Sequence, residues 1–291
     1  MWADPTSSDA IELGSQATTC GSVAGLALLD ATTVAALGVG GSLSLYGLGD
    51  GSEAVLEMAT LAVLEGEKGA AVAATPGGPQ GAVAGEGGSV AVVDWKSGEV
   101  VAMYGGGPLG TPLEDVAWVG GHEVVTVGSQ VERWDVRADP QDGPVLVMKD
   151  VSAASSLHTL ALHPNQPEFM ATGASDGIVA VWDVRAAGWA VSNVRAHQAD
   201  IWDLEFHPLH PDFLFSASDD GTVLRWNFNA TKDRSRVSFA FHDDSNMAID
   251  QIVDSMLPVN SITVSPATDT LVCGADNGLV IVESILPSDI L

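Results

Sequence analysis

An all-β fold, with four-stranded sheets set as the blades of a propeller, is what this sequence predicts, and three observations carry it. Two stretches repeat one another. The first is His158-Thr-Leu-Ala-Leu-His-Pro164 with Ala171-Thr-Gly-Ala-Ser-Asp-Gly-Ile-Val-Ala-Val-Trp-Asp183; the second is Asp203-Leu-Glu-Phe-His-Pro208 with Phe215-Ser-Ala-Ser-Asp-Asp-Gly-Thr-Val-Leu-Arg-Trp-Asn227. Their closing tryptophans, Trp182 and Trp226, stand 44 residues apart, the period of a WD-type blade. Helical periodicity is almost missing, while 32 glycines suit a chain that turns every few residues. One such unit cannot bury both faces of its own sheet, so the repeat implies a ring of neighbours.

Each unit should hold an inner strand, a second strand, a third strand ending in Trp-Asp, and an outer strand. Aligned on the third-strand end, six units are visible, closing at Tyr46, Val93, Trp134, Trp182, Trp226 and Glu283. Inner strands then fall at Val23–Leu29, Ala70–Ala74, Asp115–Val119, Thr159–His163, Ile201–His207 and Ser261–Ser265. Three of them run into Pro164, Pro208 and Pro266, which supply no ladder N–H and end a strand. The turn before the third strand carries Gly41, Gly88, Gly177, Gly221 or Gly278, and pairs such as Asp176-Gly177 are hairpin signals. Third strands such as Ile178-Val-Ala-Val-Trp182 have the β-branched content of central strands.

Two segments depart from the repeat within what otherwise reads as one domain over residues 1–291. Between Asp243 and Pro258, Ile249, Ile252, Val253, Met256 and Leu257 follow the i, i+3, i+4, i+7, i+8 spacing of an amphipathic helix. Residues 66–81 are rich in Gly, Ala and Pro and read as a mobile loop. Ile11–Ala17 reads as an outer strand with no inner three before it, while the last unit lacks an outer strand after Ile285. Placing the early strand on the last unit would close six blades and leave no open edge.

The formal charge is −27, from 38 acidic and 11 basic side chains, which argues against a phosphate-tracking surface and so against nucleic acid. Solubility or basic partners are the natural readings. No basic residue precedes Lys68, so a charged secretory n-region is absent. The run Val23–Val39 is broken by Asp30, Thr32 and Thr33 and is too polar to span a bilayer. Cys20 and Cys273 are too few for a disulfide framework and are expected to stay reduced in an intracellular compartment.

WD repeats often hold a buried network of histidine, hydroxyl, aspartate and tryptophan. One unit supplies all four, His197, Ser216, Asp220 and Trp226; another has Thr172, Asp176 and Trp182 without the histidine. His, Ser and Asp also compose a hydrolase triad, but the offsets are those of the structural network and no Gly-x-Ser-x-Gly elbow accompanies them. His207 and His210 lack companions at metal-ligand spacing. No phosphate loop or dinucleotide fingerprint emerges, so no catalysis, cofactor or metal is expected. Trp202, at the start of an inner strand, either packs between blades or meets a partner at the rim. The stripe of Ile249, Ile252, Val253 and Met256 either docks on its own sheet or on a partner.

Several strings resemble the WD-repeat nucleoporin 43 family: Leu162-His-Pro-Asn-Gln-Pro, Ala171-Thr-Gly, Val181-Trp-Asp-Val-Arg185, Ala196-His-Gln-Ala-Asp-Ile-Trp202, Phe215-Ser-Ala-Ser-Asp-Asp-Gly221, Leu257-Pro-Val-Asn-Ser261 and Leu271-Val-Cys-Gly-Ala-Asp276. The resemblance is dense from Leu157 to Ile285 and thin before it. It implies a seven-bladed propeller in the Y-shaped outer-ring scaffold of the nuclear pore complex, at the nuclear envelope. The partners it implies are other nucleoporins of the short arm, near the eighty-five-kilodalton nucleoporin and a Seh-type propeller. Of the first blade of that pattern only the outer strand around Ile11–Ala17 is visible. A second function stays open: Trp134-Asp135-Val136-Arg137 and Trp182-Asp183-Val184-Arg185 fit the Trp-Asp-x-Arg pattern of substrate receptors for cullin-4 ubiquitin ligases, and the arginines equally could satisfy neighbouring carboxylates.

Overall fold

The computed structural model describes residues 22–30, 32–48, 55–75, 78–106, 110–149, 155–185, 190–229, 247–265, 268–276 and 278–287. They form six antiparallel sheets, each a meander of strands consecutive in sequence, with no helix among them. The first holds β1 (Val23–Leu28), β2 (Thr33–Gly38), β3 (Ser42–Leu48) and β4 (Val55–Ala62). The second holds β5 (Gly69–Ala74), β6 (Gln80–Gly85), β7 (Ser89–Asp94) and β8 (Glu99–Gly105). The third holds β9 (Leu113–Gly120), β10 (Glu123–Gly128), β11 (Val131–Asp135) and β12 (Leu146–Met148). The fourth holds β13 (Leu157–Leu162), β14 (Phe169–Ala174), β15 (Ile178–Asp183) and β16 (Ser192–Arg195). The fifth holds β17 (Ile201–Phe206), β18 (Phe213–Ser218), β19 (Thr222–Asn227) and β20 (Ala248–Asp254). The sixth has three strands, β21 (Val259–Ser265), β22 (Thr270–Ala275) and β23 (Gly278–Glu283). This is the expected six-bladed propeller arrangement. The Ile11–Ala17 strand and Cys20 lie outside the described residues, and Cys273 is a buried free thiol.

Apolar alternation on both faces of each sheet explains the stacking. Ile201, Leu204 and Phe206 pack against Ala161, Ala171 and Val179 of the preceding sheet. Val259, Ile262 and Val264 pack in the same way against Phe213, Phe215 and Val223. Leu113, Val116 and Trp118 do so against Ala82, Ala84 and Val90. The core is therefore a series of layers between blades. At the two ends the layering stops. Val23, Leu26 and Leu28 hold the positions of Ile201, Leu204 and Phe206 in the first sheet, yet they are 49%, 67% and 65% exposed. Leu279 takes the place of Val223 in the sixth sheet and is 73% exposed. These two end faces are thus partly open, although Ala36 and Ser44 at the centre of the first are buried.

A register break recurs at the start of every inner strand. The second residue is bulged out of the ladder in all six sheets, at Ala24, Ala70, Glu114, His158, Trp202 and Asn260. A bulge re-aims its side chain, so these six form a row along one rim. The turns at Gly41, Gly88, Gly177 and Gly221 all have φ near +80 to +90°, which glycine alone adopts without strain.

Two expectations are corrected. Residues 248–254 are the outer strand β20 and not part of a helix. The third strand β19 has an open edge that only a fourth strand can pair. The helical spacing arises from a break in the β19–β20 register at Ile252, which disrupts the alternation of sides. Val253 is buried and Ile252 packs partly against the same cluster, whereas Ile249 and Met256 are exposed, so the supposed stripe is not one face. The Gly/Ala/Pro segment 66–81 is also ordered structure in large part: it contains β5 and opens β6. Its small residues serve close packing. A Cβ at Gly81 would lie 1.8 Å from the Trp95 ring.

Candidate functional site: a buried polar network beneath an exposed rim

In the fifth sheet the structure brings His197, Ser216, Asp220 and Trp226 together. β18 supplies Ser216, β19 supplies Trp226, the turn between them supplies Asp220, and the segment before β17 supplies His197. Trp226 Nε1 donates to Ser216 Oγ at 2.9 Å, and Ser216 Oγ lies 2.7 Å from His197 Nε2. His197 Nδ1 is 3.2 Å from the Asp220 carboxylate. That carboxylate also accepts from the Thr222 hydroxyl at 2.6 Å and from the amides of Thr222 and Gln198, each at 2.9 Å. With a neutral ring the indole N–H donates to serine, the serine hydroxyl donates to Nε2, and Nδ1–H points to Asp220 and to Thr222 Oγ1, 3.0 Å away. Burial pushes the imidazole below its ordinary pKa against the pull of Asp220, consistent with a neutral ring. Burial opposes ionisation of Asp220 too, but the Thr222 and Gln198 hydrogen bonds hold its carboxyl below the usual value.

Ser216, His197 and Asp220 thus have the order and contacts of a hydrolase triad. They cannot work as one, because Ser216 and His197 have no solvent exposure and the serine oxygen is already occupied by the indole. What the network does is satisfy the buried polar groups of His197, Ser216 and Trp226 and lock the 218–221 turn.

The related sheets hold fragments of it. Trp182 Nε1 donates to Thr172 Oγ1 at 2.9 Å, while Asp176 is turned away to Arg195, 2.9 Å from its Nη2. Trp134 Nε1 donates to Thr126 Oγ1 at 3.0 Å, a pair that the repeat pattern did not bring out; a hydroxyl eight residues before a blade-closing tryptophan was the available signal. His163 and His207 play the same part in their sheets. Nδ1 of each accepts amides of the turn that follows, at 3.0 Å from Gln166 and 3.1 Å from His210. His207 is thereby a turn cap, and among the described residues no cluster of His, Cys, Asp or Glu could hold a metal.

The Trp-Asp-x-Arg arginines are likewise engaged locally. Arg137 forks onto Asp135 at 2.9 and 2.7 Å, and Arg185 onto Asp183 at 3.0 and 2.8 Å. Arg185 also reaches Glu168 at 3.3 Å and lies 5.6 Å from the centre of the Phe169 ring. The Arg137 hydrogen bonds hold the Asp135 carboxyl far below its ordinary range.

Further polar groups not foreseen from sequence tie one blade to the next. Asp115 accepts the Leu160 amide at 2.8 Å, Asp203 the Ile262 amide at 2.8 Å, and Glu205 the Val264 amide at 3.1 Å. In two of the same junctions Arg133 donates to the Val184 carbonyl at 2.8 Å and Arg225 to the Ile285 carbonyl at 2.7 Å. Burial pushes Asp115 up to about 6. Burial, with the charges of Asp115 and Glu205, pushes Asp203 to about 7, and burial brings Glu205 to about 7.

Above the network, at the rim, Trp202 is 39% exposed. It stacks on His158 with ring centroids 4.8 Å apart, and its Nε1 points to Asp219 Oδ1 at 3.4 Å. It is therefore a bulged rim residue whose indole remains accessible. Met256 and Leu257, in the connection after β20, are also exposed.

The repeated sheets define a β-propeller, and a tryptophan–hydroxyl bond recurs in three of them. Residues 188–227, which include β16 to β19 and the whole network, match the family "WD domain, G-beta repeat". The chain is similar to nucleoporin Nup43 of Homo sapiens and of Mus musculus, 34% identical over 94 residues in each case, covering 32% of this chain and 24% of the relative. It is also similar to nuclear pore complex protein nup43 of Dictyostelium discoideum, 24% identical over 98 residues, covering 33% of this chain and 22% of the relative. The matched stretch thus spans about a quarter of the length of these curated relatives.

Two outcomes follow. Asp220→Ala leaves His197 Nδ1 and the Thr222 and Gln198 amides short of an acceptor and should destabilise by on the order of 1–3 kcal/mol in urea unfolding at neutral pH; an unchanged midpoint would contradict the network. Between the ordinary carboxylate pKa near ~4 and about 7, folded Asp203 holds a proton that the unfolded chain has released. Stability carried by this group is therefore greatest at the acid end and is lost as pH rises through the window. Asp203→Asn keeps an acceptor for the Ile262 amide but cannot ionise. It should gain on the wild type by on the order of 1–3 kcal/mol between pH 5 and pH 8, and a difference that does not change with pH would show that Asp203 is not raised.

Proposed function

We propose that this chain is a non-enzymatic scaffold subunit of the nuclear pore complex, in the Y-shaped outer ring, supporting nucleocytoplasmic transport through protein–protein contacts. The observation that carries the reading is the similarity to Nup43, a protein whose name places it at the pore. The geometry supports it independently, because the polar side chains most suggestive of chemistry are engaged with one another inside the fifth sheet. A stack of rigid sheets offering rims and faces is a binding platform. Its partners on this reading are other nucleoporins of the short arm, near the eighty-five-kilodalton nucleoporin and a Seh-type propeller. The cullin-4 alternative is the less favoured reading, since Arg137 and Arg185 fork onto Asp135 and Asp183, as arginines that satisfy neighbouring carboxylates would.

The test is a fluorescently tagged copy in living cells, followed by affinity purification. A punctate nuclear rim with co-purified outer-ring nucleoporins is the expected result. A diffuse cytoplasmic signal, or recovery of a cullin-4 adaptor in place of nucleoporins, would overturn the assignment.

A further inference from the structure

We propose that the rim over the fifth sheet, centred on Trp202, Met256 and Leu257, is a docking site for a partner segment that carries an apolar side chain next to lysine or arginine. This rests on the scaffold reading and names the chemistry of one partner. The patch has an apolar centre that the fold does not use. Trp202 leaves the ladder at the bulge and stays 39% exposed although its ring stacks on His158. Met256 is fully exposed and Leu257 is 39% exposed, both in the connection between β20 and β21. Scattered apolar residues are ordinary on a surface, but these three flank a single turn. Asp219, at one end of that turn, meets the Trp202 indole. Gly221, at the other, accepts the Ser255 amide at 2.8 Å, and a Cβ there would lie 3.2 Å from the Leu257 carbonyl.

The rim around this centre is acidic. Asp219 is exposed beside the indole, Asp200 lies 3.3 Å from the His158 imidazole with its side chain 38% exposed, and Asp276 is exposed where it accepts from Asn260 at 2.7 Å. Cations on this rim do not neutralise it: Arg195 is held by Asp176. An aromatic and aliphatic centre with a one-signed polar border is the anatomy of a protein interface, and the sign selects a basic partner. A lysine or arginine beside the indole would gain both the Asp219 charge and the ring face. The support is rigid as well. Asp220, next to Asp219, carries the full network with His197, Thr222 and Gln198, so the patch is ordered before binding and little freedom is lost on docking.

The experiment uses the full chain and dye-labelled twelve-residue peptides read by fluorescence polarisation. One peptide has Leu and Phe flanked by Arg and Lys. A second replaces Leu and Phe by Ser, and a third replaces Arg and Lys by Glu. The first should bind, the second should bind at least tenfold more weakly, and the third should not bind. Trp202→Ala should weaken the first peptide tenfold or more, as truncation of a central aromatic anchor does. Met256→Ser, at a fully exposed position that folding does not depend on, should weaken it several-fold, and Asp219→Asn should reduce both affinity and its salt dependence. Val101→Ser, exposed on β8 of another sheet, should change nothing. Equal binding of the first two peptides would reveal mere attraction to a chain of charge −27 and overturn the proposal, as would binding indifferent to Trp202→Ala and Met256→Ser, or no binding of the first peptide. Its failure is separable from failure of the scaffold reading: nuclear-rim staining without peptide binding sinks the patch alone, and peptide binding by a diffuse cytoplasmic protein sinks the pore assignment alone.

Discussion

Each sheet of this molecule is too thin to bury anything by itself, so its stability is borrowed from the face of its neighbour, and the inner strands meet that demand with a difficulty of their own. They are edge strands, with a row of amides that no ladder satisfies. The chain answers by sending a carboxylate forward from one blade to the inner-strand amide of the next, at Asp115, Asp203 and Glu205. Arginines do the same at the blade end, where Arg133 and Arg225 reach the carbonyls of Val184 and Ile285. These ties bridge the third sheet to the fourth and the fifth to the sixth, so apolar layering is supplemented by polar registration at those junctions. The raised carboxyl pKa values there are the cost of placing acids among protein atoms.

The fifth sheet shows how the same side chains can look like chemistry and be architecture. Serine, histidine and aspartate stand in triad order, yet the hydroxyl faces an indole and no surface opens onto it. On the scaffold reading, function lies in what the sheets present outward. The bulge at the second residue of each inner strand decides that, because it turns Glu114, His158, Trp202 and Asn260 toward one rim while the residues on either side stay in the ladder.

Much of this was legible in the sequence because the repeat fixes positions. The glycine turns, the blade-closing tryptophans and the four members of the network all follow from alignment of one unit on another. Where tertiary pairing overrode local pattern, the sequence misled: Ile249, Ile252 and Val253 have helical spacing, but a register break inside β20 produces that spacing in a strand. The small residues of 66–81 read as a loop because glycine and alanine have weak propensity for strands, whereas here they allow close approach, as at Gly81 beneath Trp95. The blade-to-blade carboxylates were invisible for another reason. Their partners are backbone amides of the next repeat, and no residue type marks an amide. Asp115 and Asp203 occupying one place in two inner strands was the only clue available.

If blade-on-blade burial is what holds the chain together, protection should follow the number of covered faces. Native-state hydrogen exchange, read strand by strand by mass spectrometry, measures this directly. The account predicts that amides of β18 and β19, covered on both faces and anchored by the network, exchange only through global unfolding. Amides of β2, β3 and β22, central in sheets with one partly open face, should open at free energies lower by on the order of 1–3 kcal/mol. Equal protection of the end sheets and the fifth sheet would contradict it.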